Sequence, residues 1–150
     1  MHRIPTTDEI PVNTKRYRLA HALKEETIEQ VETMLKKGII RPSRSSYNTS
    51  LWIVPKKEGK DGTPKYRVVL DFRPLNSKTK PMVMPLPNIT DIFDQLGKAK
   101  YFTVLDCVSG FHQIAMHPDD AHKTAFSTPN GHYEFVKMPF GLLNAPREYA

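Results

Sequence analysis

Residues 101–114 read YFTVLDCVSGFHQI. Five apolar or β-prone residues run straight into one acid, Asp106. Their β-branched and aromatic character, over a strand-like length, predicts a strand at 101–106 that ends on a carboxylate. An acid in that place is partly solvated and rigidly aimed, which suits a ligand of a hard cation such as Mg2+. Two such acids can hold two metals for phosphoryl or nucleotidyl transfer. The competing use of a lone Asp is to cap the turn after the strand, because Asp is common in turns. The neighbours bear on that choice. Cys107, Val108, Ser109 and Gly110 are small or β-branched, so backbone there can lie close to a ligand. Phe111 follows as a flat wall that, beside a sugar, would exclude a 2′-hydroxyl; its alternative is plain core packing.

Around this stretch the chain alternates helices and hairpins. A helix is expected over 23–37, with Ile28, Val31 and Leu35 on one face and Gly38 as its stop. Two β-rich runs, SLWIVP (50–55) and KYRVVLDF (65–72), flank KKEGKDGT and predict a hairpin with a basic tip. RPLNSKTKPMVMPLP holds four prolines, which argues against a regular helix or a central strand there. Asn88 is placed to cap a short helix whose Ile89, Ile92, Phe93 and Leu96 share a face and which Gly97 ends. HPDDAH reads as a helical turn entered at Pro118, KTAFSTPNGHYEFVK as a second hairpin turning at Asn130-Gly131, and Asn144 as the cap of a helix near the end. Residues 1–20 read as an extended arm and 21–150 as one partial domain. The mixture makes the fold class α+β.

Composition narrows the function. The net charge is +6, yet residues 36–80 alone carry twelve Lys/Arg against three Asp/Glu. A concentrated basic block suits an anionic partner such as nucleic acid or nucleotide, or else a solvated lysine-rich face. One cysteine, Cys107, excludes an internal disulfide and a zinc site built on several cysteines. His112, His117, His122 and His132 show no metal-ligand spacing and read as surface or packing residues. The N-terminus MHRIPTTDEIPV has no apolar signal-peptide core, and no run approaches a membrane span.

YFTVLDCVSGFHQI resembles the first catalytic motif of reverse transcriptases from gypsy-like long-terminal-repeat retrotransposons. GIIRPSRSSYNTSLWIVPKKEG, KYRVVLDFRPLNSKT, MPLPNITDIFDQLGKAKYF and KTAFSTPNGHYEFVKMPFGLLNAP resemble successive blocks of the same Pol polyproteins, in order. The resemblance implies a right-hand polymerase fold, with fingers up to about Leu86, the first part of the palm over 87–116, and a return to the fingers. It implies an RNA-directed DNA polymerase that adds deoxynucleotides (dNTPs) to a primer with two Mg2+ ions, or Mn2+ in their place. The implied partners are an RNA or DNA template-primer, dNTPs, and the remainder of the Pol polyprotein, including RNase H. The implied setting is the cytoplasm and virus-like particles.

Residue by residue, Asp106 matches the first catalytic, metal-binding aspartate, and the carbonyl of Cys107 would face the same metal. Phe111 matches the aromatic that polices the sugar, with Val108, Ser109 and Gly110 along the nucleotide. Arg67 matches the arginine over the incoming base and its phosphates, where a planar guanidinium serves better than a lysine. Lys56 matches the lysine at the terminal phosphates, with Lys57 the alternative in a loosely aligned loop. Trp52 would lie against the template, where an aromatic face can stack. Arg73 and Asn76 match template contacts, while Lys57, Lys60, Lys78 and Lys80 read equally as solvated charge. MPFGLLNAP resembles the second motif, with Phe140 at the nucleotide, Gly141 near nucleotide and template, and Pro146 at the helix that follows. There the sequence departs from the pattern: a small residue and Thr-Phe-Gln are usual, and Arg147, Glu148, Tyr149 and Ala150 stand here.

The family's other metal ligands lie in an aromatic-x-Asp-Asp hairpin, and these 150 residues contain none. Their one Asp-Asp pair, Asp119-Asp120, follows Pro118 and reads as the charged first turn of a helix. The expectation is a piece truncated before that hairpin, inactive alone and with apolar edges exposed. Two other readings stand beside it: a non-catalytic relic that binds nucleic acid through the basic hairpin, and a pseudogene product with no folded function.

Overall fold

The computed structural model describes residues 1–15, 17–56, 64–85 and 87–150. The tip of the first predicted hairpin, with Lys57 and Lys60, and the boundary residue Leu86 lie outside them. The first helix, α1, spans His21–Lys36. Gly38 at φ 64° lets the chain reverse into the left-handed region, and its N–H reaches the Leu35 carbonyl at 3.0 Å. Val31 packs into the core as expected, and Thr27 lies buried one turn earlier. Leu35 does not share that face: it is exposed, because the buried line runs through Thr27, Val31 and the half-buried Met34.

Two antiparallel sheets form the body. β1 (Ile40–Pro42), β4 (Phe126–Thr128) and β5 (Gly131–Phe135) make one, in the order β1-β5-β4. Ile40 lies opposite Phe135, and Arg41 opposite Glu134, where guanidinium and carboxylate meet at 2.7 Å. Phe126 and Phe135 pack with ring centroids 5.5 Å apart. β2 (Leu51–Pro55) and β3 (Tyr66–Leu70) form the predicted hairpin, with Trp52 opposite Val69 and Val54 opposite Arg67. Strand alternation turns Leu51 and Ile53 inward and leaves Trp52 outward. The sheets are tied where the Thr49 N–H donates to the Ala125 carbonyl at 2.8 Å.

The residue at the second hairpin's turn is shifted by one from the sequence expectation. Thr128 pairs with Gly131, so Pro129 and Asn130 form the loop, and neither has a positive φ. Proline's fixed negative φ suits the first corner position, which displaces the Asn-Gly alternative. The proline-rich segment also opens on one helical turn, α2 (Arg73–Asn76), contrary to expectation. Pro74 lies in its first turn, where a missing N–H costs nothing.

α3 (Ile89–Leu96) is capped as expected, the Thr90 N–H donating to the Asn88 side chain at 3.1 Å. Its apolar face is not covered by any described residue: Ile89 and Phe93 are 68% and 66% exposed. The expected strand at 101–106 is absent, and those residues run as unpaired backbone with Tyr101 94% and Leu105 89% exposed. The reason is physical. A strand exists only with a neighbour to complete its hydrogen bonds, and no described residue lies alongside. The sequence quality of YFTVLD cannot substitute for that ladder.

A 3-10 turn at Gly110–Gln113 leads to α4 (Pro118–Ala121), a second 3-10 turn at His122–Thr124, and finally α5 (Ala145–Tyr149). The Asp119-Asp120 pair is helical, as read. The arm does not hang free. Ile4 and His2 are both 1% exposed, and the arm bonds to residues 78, 80, 115 and 117. Asp120 latches it: the carboxylate accepts from the Ile4 N–H at 3.2 Å and Arg3 Nε at 3.1 Å, and meets Lys123 Nζ at 2.9 Å. Lys123, itself buried, donates to the Ile4 carbonyl at 2.9 Å and to Thr6 Oγ1 at 3.1 Å.

Candidate nucleotide and nucleic-acid site

A cleft of about 570 Å3 opens between the β2–β3 hairpin and the 139–141 loop. Lys56 and Arg67 line it from the hairpin, Phe140 and Gly141 from the loop, Met34 from α1 and His112 from the 3-10 turn. Four residues chosen from sequence, Lys56, Arg67, Phe140 and Gly141, therefore meet in one cavity. The remaining lining is largely aliphatic or aromatic: Val68, Val69, Leu70, Phe135 and Pro139. An apolar cleft with a few convergent cationic heads is built for a ligand that is flat at one end and anionic at the other.

The loop is held by Asn76. Its Nδ2 donates to the Gly141 carbonyl at 2.8 Å, and its Oδ1 accepts from the Leu143 N–H at 2.9 Å. Gly141 adopts φ 93°, with the Phe72 ring 3.6 Å from where a Cβ would stand. A side chain here would be strained by its own backbone, so glycine is required. With both ends of its amide engaged, Asn76 is the residue that positions this loop. Arg73 forks onto Asp71, Nε to Oδ1 at 2.8 Å and Nη2 to Oδ2 at 2.7 Å. That pairing holds the Asp71 carboxyl below its ordinary range, while Arg73 stays open to solvent. Trp52 is half covered by Tyr17, with centroids 4.1 Å apart.

Phe111 reaches the cleft through aromatic contact. Its ring lies 4.9 Å from Phe140 and 5.4 Å from Tyr149. The chain gets there by a left-handed residue, Ser109 at φ 50°, ψ 50°, which turns the backbone between the acid and the aromatic. Gly110 seats Tyr149: a Cβ would collide with the phenol ring and hydroxyl. Tyr149 in turn lies near the acid's neighbourhood: the Cys107 thiol first, then burial and the nearby Asp106, push the phenol up. Asp106, Cys107 and Val108 lie on the exposed stretch, and none of the three lines the cleft.

The atypical Arg-Glu pair of α5 has local uses. Arg147 donates to the Met82 carbonyl, and Glu148 lies 3.9 Å from His2. Pro146 sits in the helix's first turn. Asn144 precedes that helix but does not cap it with its side chain. Its Oδ1 accepts from the Met82 N–H at 2.9 Å and its Nδ2 donates to the Lys80 carbonyl at 3.0 Å. Buried polar atoms take the partners that geometry offers, and here those are the proline-rich strand of backbone rather than the helix start.

One polar cleft residue, His112, was not chosen from sequence, where it read as a packing histidine; burial, and then Lys37 at the end of α1, hold its pKa below the ordinary value. The one available signal was adjacency: His112 follows Phe111 directly. For a divalent metal the chain offers the Asp106 carboxylate and the Cys107 carbonyl. No group of three or more His, Cys, Asp or Glu is gathered among the described residues. These residues alone do not complete a metal site. Nor is any described helix long and apolar enough to cross a membrane.

Comparison with known proteins identifies relatives of the chain and of its fold. Residues 54–149 match the family model described as reverse transcriptase (RNA-dependent DNA polymerase). The chain is 49% identical, over 148 residues, to the retrovirus-related Pol polyprotein from transposon 297 of Drosophila melanogaster, covering 99% of this chain and 14% of that protein. It is 49% identical over 144 residues to the Pol polyprotein from transposon gypsy of the same organism, covering 95% of this chain and 14% of that one. The chain therefore spans about a seventh of the length of these relatives. Among solved structures, native prototype foamy virus protease-reverse transcriptase superposes with a TM-score of 0.82 at 30% identity, over 99% of this chain and 19% of that one. The foamy viral protease-reverse transcriptase in complex with dsDNA gives 0.78 at 25% identity, over 99% and 28%.

Proposed function

The chain belongs to the reverse transcriptase (RNA-dependent DNA polymerase) family, and from that premise we propose that it forms the nucleotide-seating part of a retrotransposon RNA-directed DNA polymerase. The observation that carries the proposal is the cleft itself. Lys56 and Arg67, taken from one hairpin by sequence, share it with Phe140 and Gly141, taken from a motif over seventy residues away.

In this reading the incoming dNTP lies with its triphosphate against Lys56 and Arg67. Charge-assisted hydrogen bonds to phosphate are among the strongest a protein makes. The sugar lies toward Phe140 and Phe111, where Phe111 leaves no room for a 2′-hydroxyl. Gly141 lets backbone approach, and Asn76 fixes its position. Trp52 and Arg73 face a template strand, Trp52 by stacking and Arg73 by the solvent-facing edge of a guanidinium that Asp71 holds in place. Asp106, with the Cys107 carbonyl, contributes one carboxylate to a Mg2+ or Mn2+ site whose other ligands come from outside these residues. When bound, such ions would stabilise the charge that develops during nucleotidyl transfer. The 150 residues by themselves are accordingly inactive in primer extension. The partners in this reading are a template-primer and the rest of a Pol polyprotein.

The test is binding by the chain as it stands. Thymidine triphosphate should bind, and Arg67→Ala should weaken it by about tenfold or more, the worth of a charge-assisted contact. Template-primer affinity should fall with salt. With about four phosphates neutralised, log K against log[salt] should slope near −3 to −4. A flat salt response, or triphosphate binding indifferent to Arg67, would sink the reading.

A further inference from the structure

β3 carries Arg67 between Tyr66 and Val68. Along its inner edge it pairs with β2, where Arg67 lies opposite Val54. In an antiparallel pair alternate residues turn their backbone groups to the other edge, so Tyr66 and Val68 present theirs away from β2. No described strand lies along that outer edge. Gln30 of α1, half-buried, takes the place of one. Its Nε2 donates to the Tyr66 carbonyl at 3.0 Å, and its Oε1 accepts from the Val68 N–H at 3.1 Å. One amide thus grips the backbone on both sides of Arg67. Resting on the reading of Arg67 as a triphosphate contact, we infer that Gln30 is a positioning residue for nucleotide binding, holding β3 so that the Arg67 guanidinium is aimed into the cleft.

Glu26 sets which way the amide points. Gln30 Nε2 also donates to Glu26 Oε1 at 2.6 Å, one turn earlier on α1. An amide nitrogen has two hydrogens, and both are engaged, one on Glu26 and one on Tyr66. The reversed amide would set its oxygen against a carboxylate and a carbonyl, and its nitrogen against an N–H. Met34, one turn later on the same line of the helix, lines the cleft itself. One line of α1 therefore runs from the strand edge to the nucleotide seat. The need for such a hold is physical. A two-stranded hairpin has little rigidity of its own. A long cationic side chain binds phosphate better when less of its freedom remains to be lost on binding. The other use of an edge glutamine is simply to cover unpaired backbone, and that use is indifferent to which residue lies between the two gripped groups. Here that residue is the one whose side chain lines the cleft.

Equilibrium dialysis against thymidine triphosphate with Mg2+ tests this on the 150-residue chain, as wild type, Gln30→Met, Arg67→Ala and the double variant. Methionine keeps the length and helix preference of glutamine but has no amide. Gln30→Met should weaken binding about fivefold, the worth of holding one long side chain in place. In the Arg67→Ala background the same change should do nothing, because no guanidinium is left to aim. Amide exchange by NMR should show the Val68 N–H opened in Gln30→Met. The Phe135 N–H, held by Thr124 Oγ1 in the other sheet, should stay protected. An equal loss of affinity in both backgrounds, or a Val68 N–H still protected, overturns the inference. If Phe135 protection falls too, the same cycle on Gln30→Ala is read by the same rules. Phe135 protection lost in both variants overturns it, because Gln30 then serves the fold as a whole. Triphosphate binding that depends on Arg67 but ignores Gln30 overturns this inference alone. Wild-type binding that is absent or indifferent to Arg67 overturns the triphosphate seat together with it.

Discussion

Replacing Asp120 by asparagine should unlatch the N-terminal arm. The carboxylate is 8% exposed and meets three donors: Lys123 Nζ at 2.9 Å, Arg3 Nε at 3.1 Å and the Ile4 N–H at 3.2 Å. Removing one partner of a buried ion pair costs about 3–5 kcal/mol, because the other charge is left buried. Lys123, 5% exposed, keeps the Ile4 carbonyl and Thr6 hydroxyl, and the asparagine still accepts a hydrogen bond, so the low end applies, about 3 kcal/mol. For a domain of this size that lowers Tm by about 6–12 °C. Asp119→Asn is the control. Asp119 and Arg3 are 72% and 57% exposed, and an exposed pair is worth about 0–1 kcal/mol. The pH dependence has a definite sign. Burial pushes the Asp120 carboxyl up, but the hydrogen bonds from Lys123, Arg3 and the Ile4 N–H outweigh it and hold the folded pKa below the ordinary value. Its stabilising contribution is thus complete above the unfolded pKa of about 3.9 and fades as pH falls through the folded one. Thermal melts by circular dichroism from pH 3 to 8 should show the gap between wild type and Asp120→Asn constant above about pH 5 and closing below about pH 4. Equal melting of Asp120→Asn and Asp119→Asn at neutral pH would refute the latch.

Two further perturbations probe the scaffold of the cleft. Gly110→Ala should drive Tyr149 out of its seat and cost about 1–3 kcal/mol as overpacking; in a Tyr149→Ala background the same change should cost almost nothing, as denaturant melts of the double-mutant cycle would show. Asn76→Ala should remove the two hydrogen bonds to Gly141 and Leu143. The cost is about 1–2 kcal/mol, with triphosphate affinity falling alongside, whereas Ser77→Ala, next to it in sequence, should leave affinity unchanged.

Where sequence and structure agree, the signals are local. Gly38 terminates α1, Asn88 caps α3, and Pro118 opens α4, each by chemistry confined to a turn of chain. The β2–β3 hairpin was legible because both strands and their connection lie within about twenty residues. Where they differ, the deciding partner is remote or absent. YFTVLD has every intrinsic mark of a strand, but pairing belongs to two segments and no described residue supplies the second. Asn144 stands at a helix start, yet its side chain serves backbone at Lys80 and Met82, over sixty residues away. His112 carried no spacing that marks a ligand; only the folded chain sets it beside Phe140 and within the field of Lys37. The arm's latch was likewise hidden, because the charge of Asp120 finds its use more than one hundred residues back, at Arg3 and Ile4.

The central claim is that Asp106 and the Lys56–Arg67 cleft are parts of one polymerase site. A chimera answers it most directly: these 150 residues set in place of the matching segment of the related transposon 297 Pol polyprotein, assayed for Mg2+-dependent primer extension. The account predicts that the chimera extends primers, that Asp106→Asn lowers the rate by at least about a hundredfold, and that Asp119→Asn leaves it intact. An Asp106→Asn chimera that extends primers at the unmutated rate would contradict it.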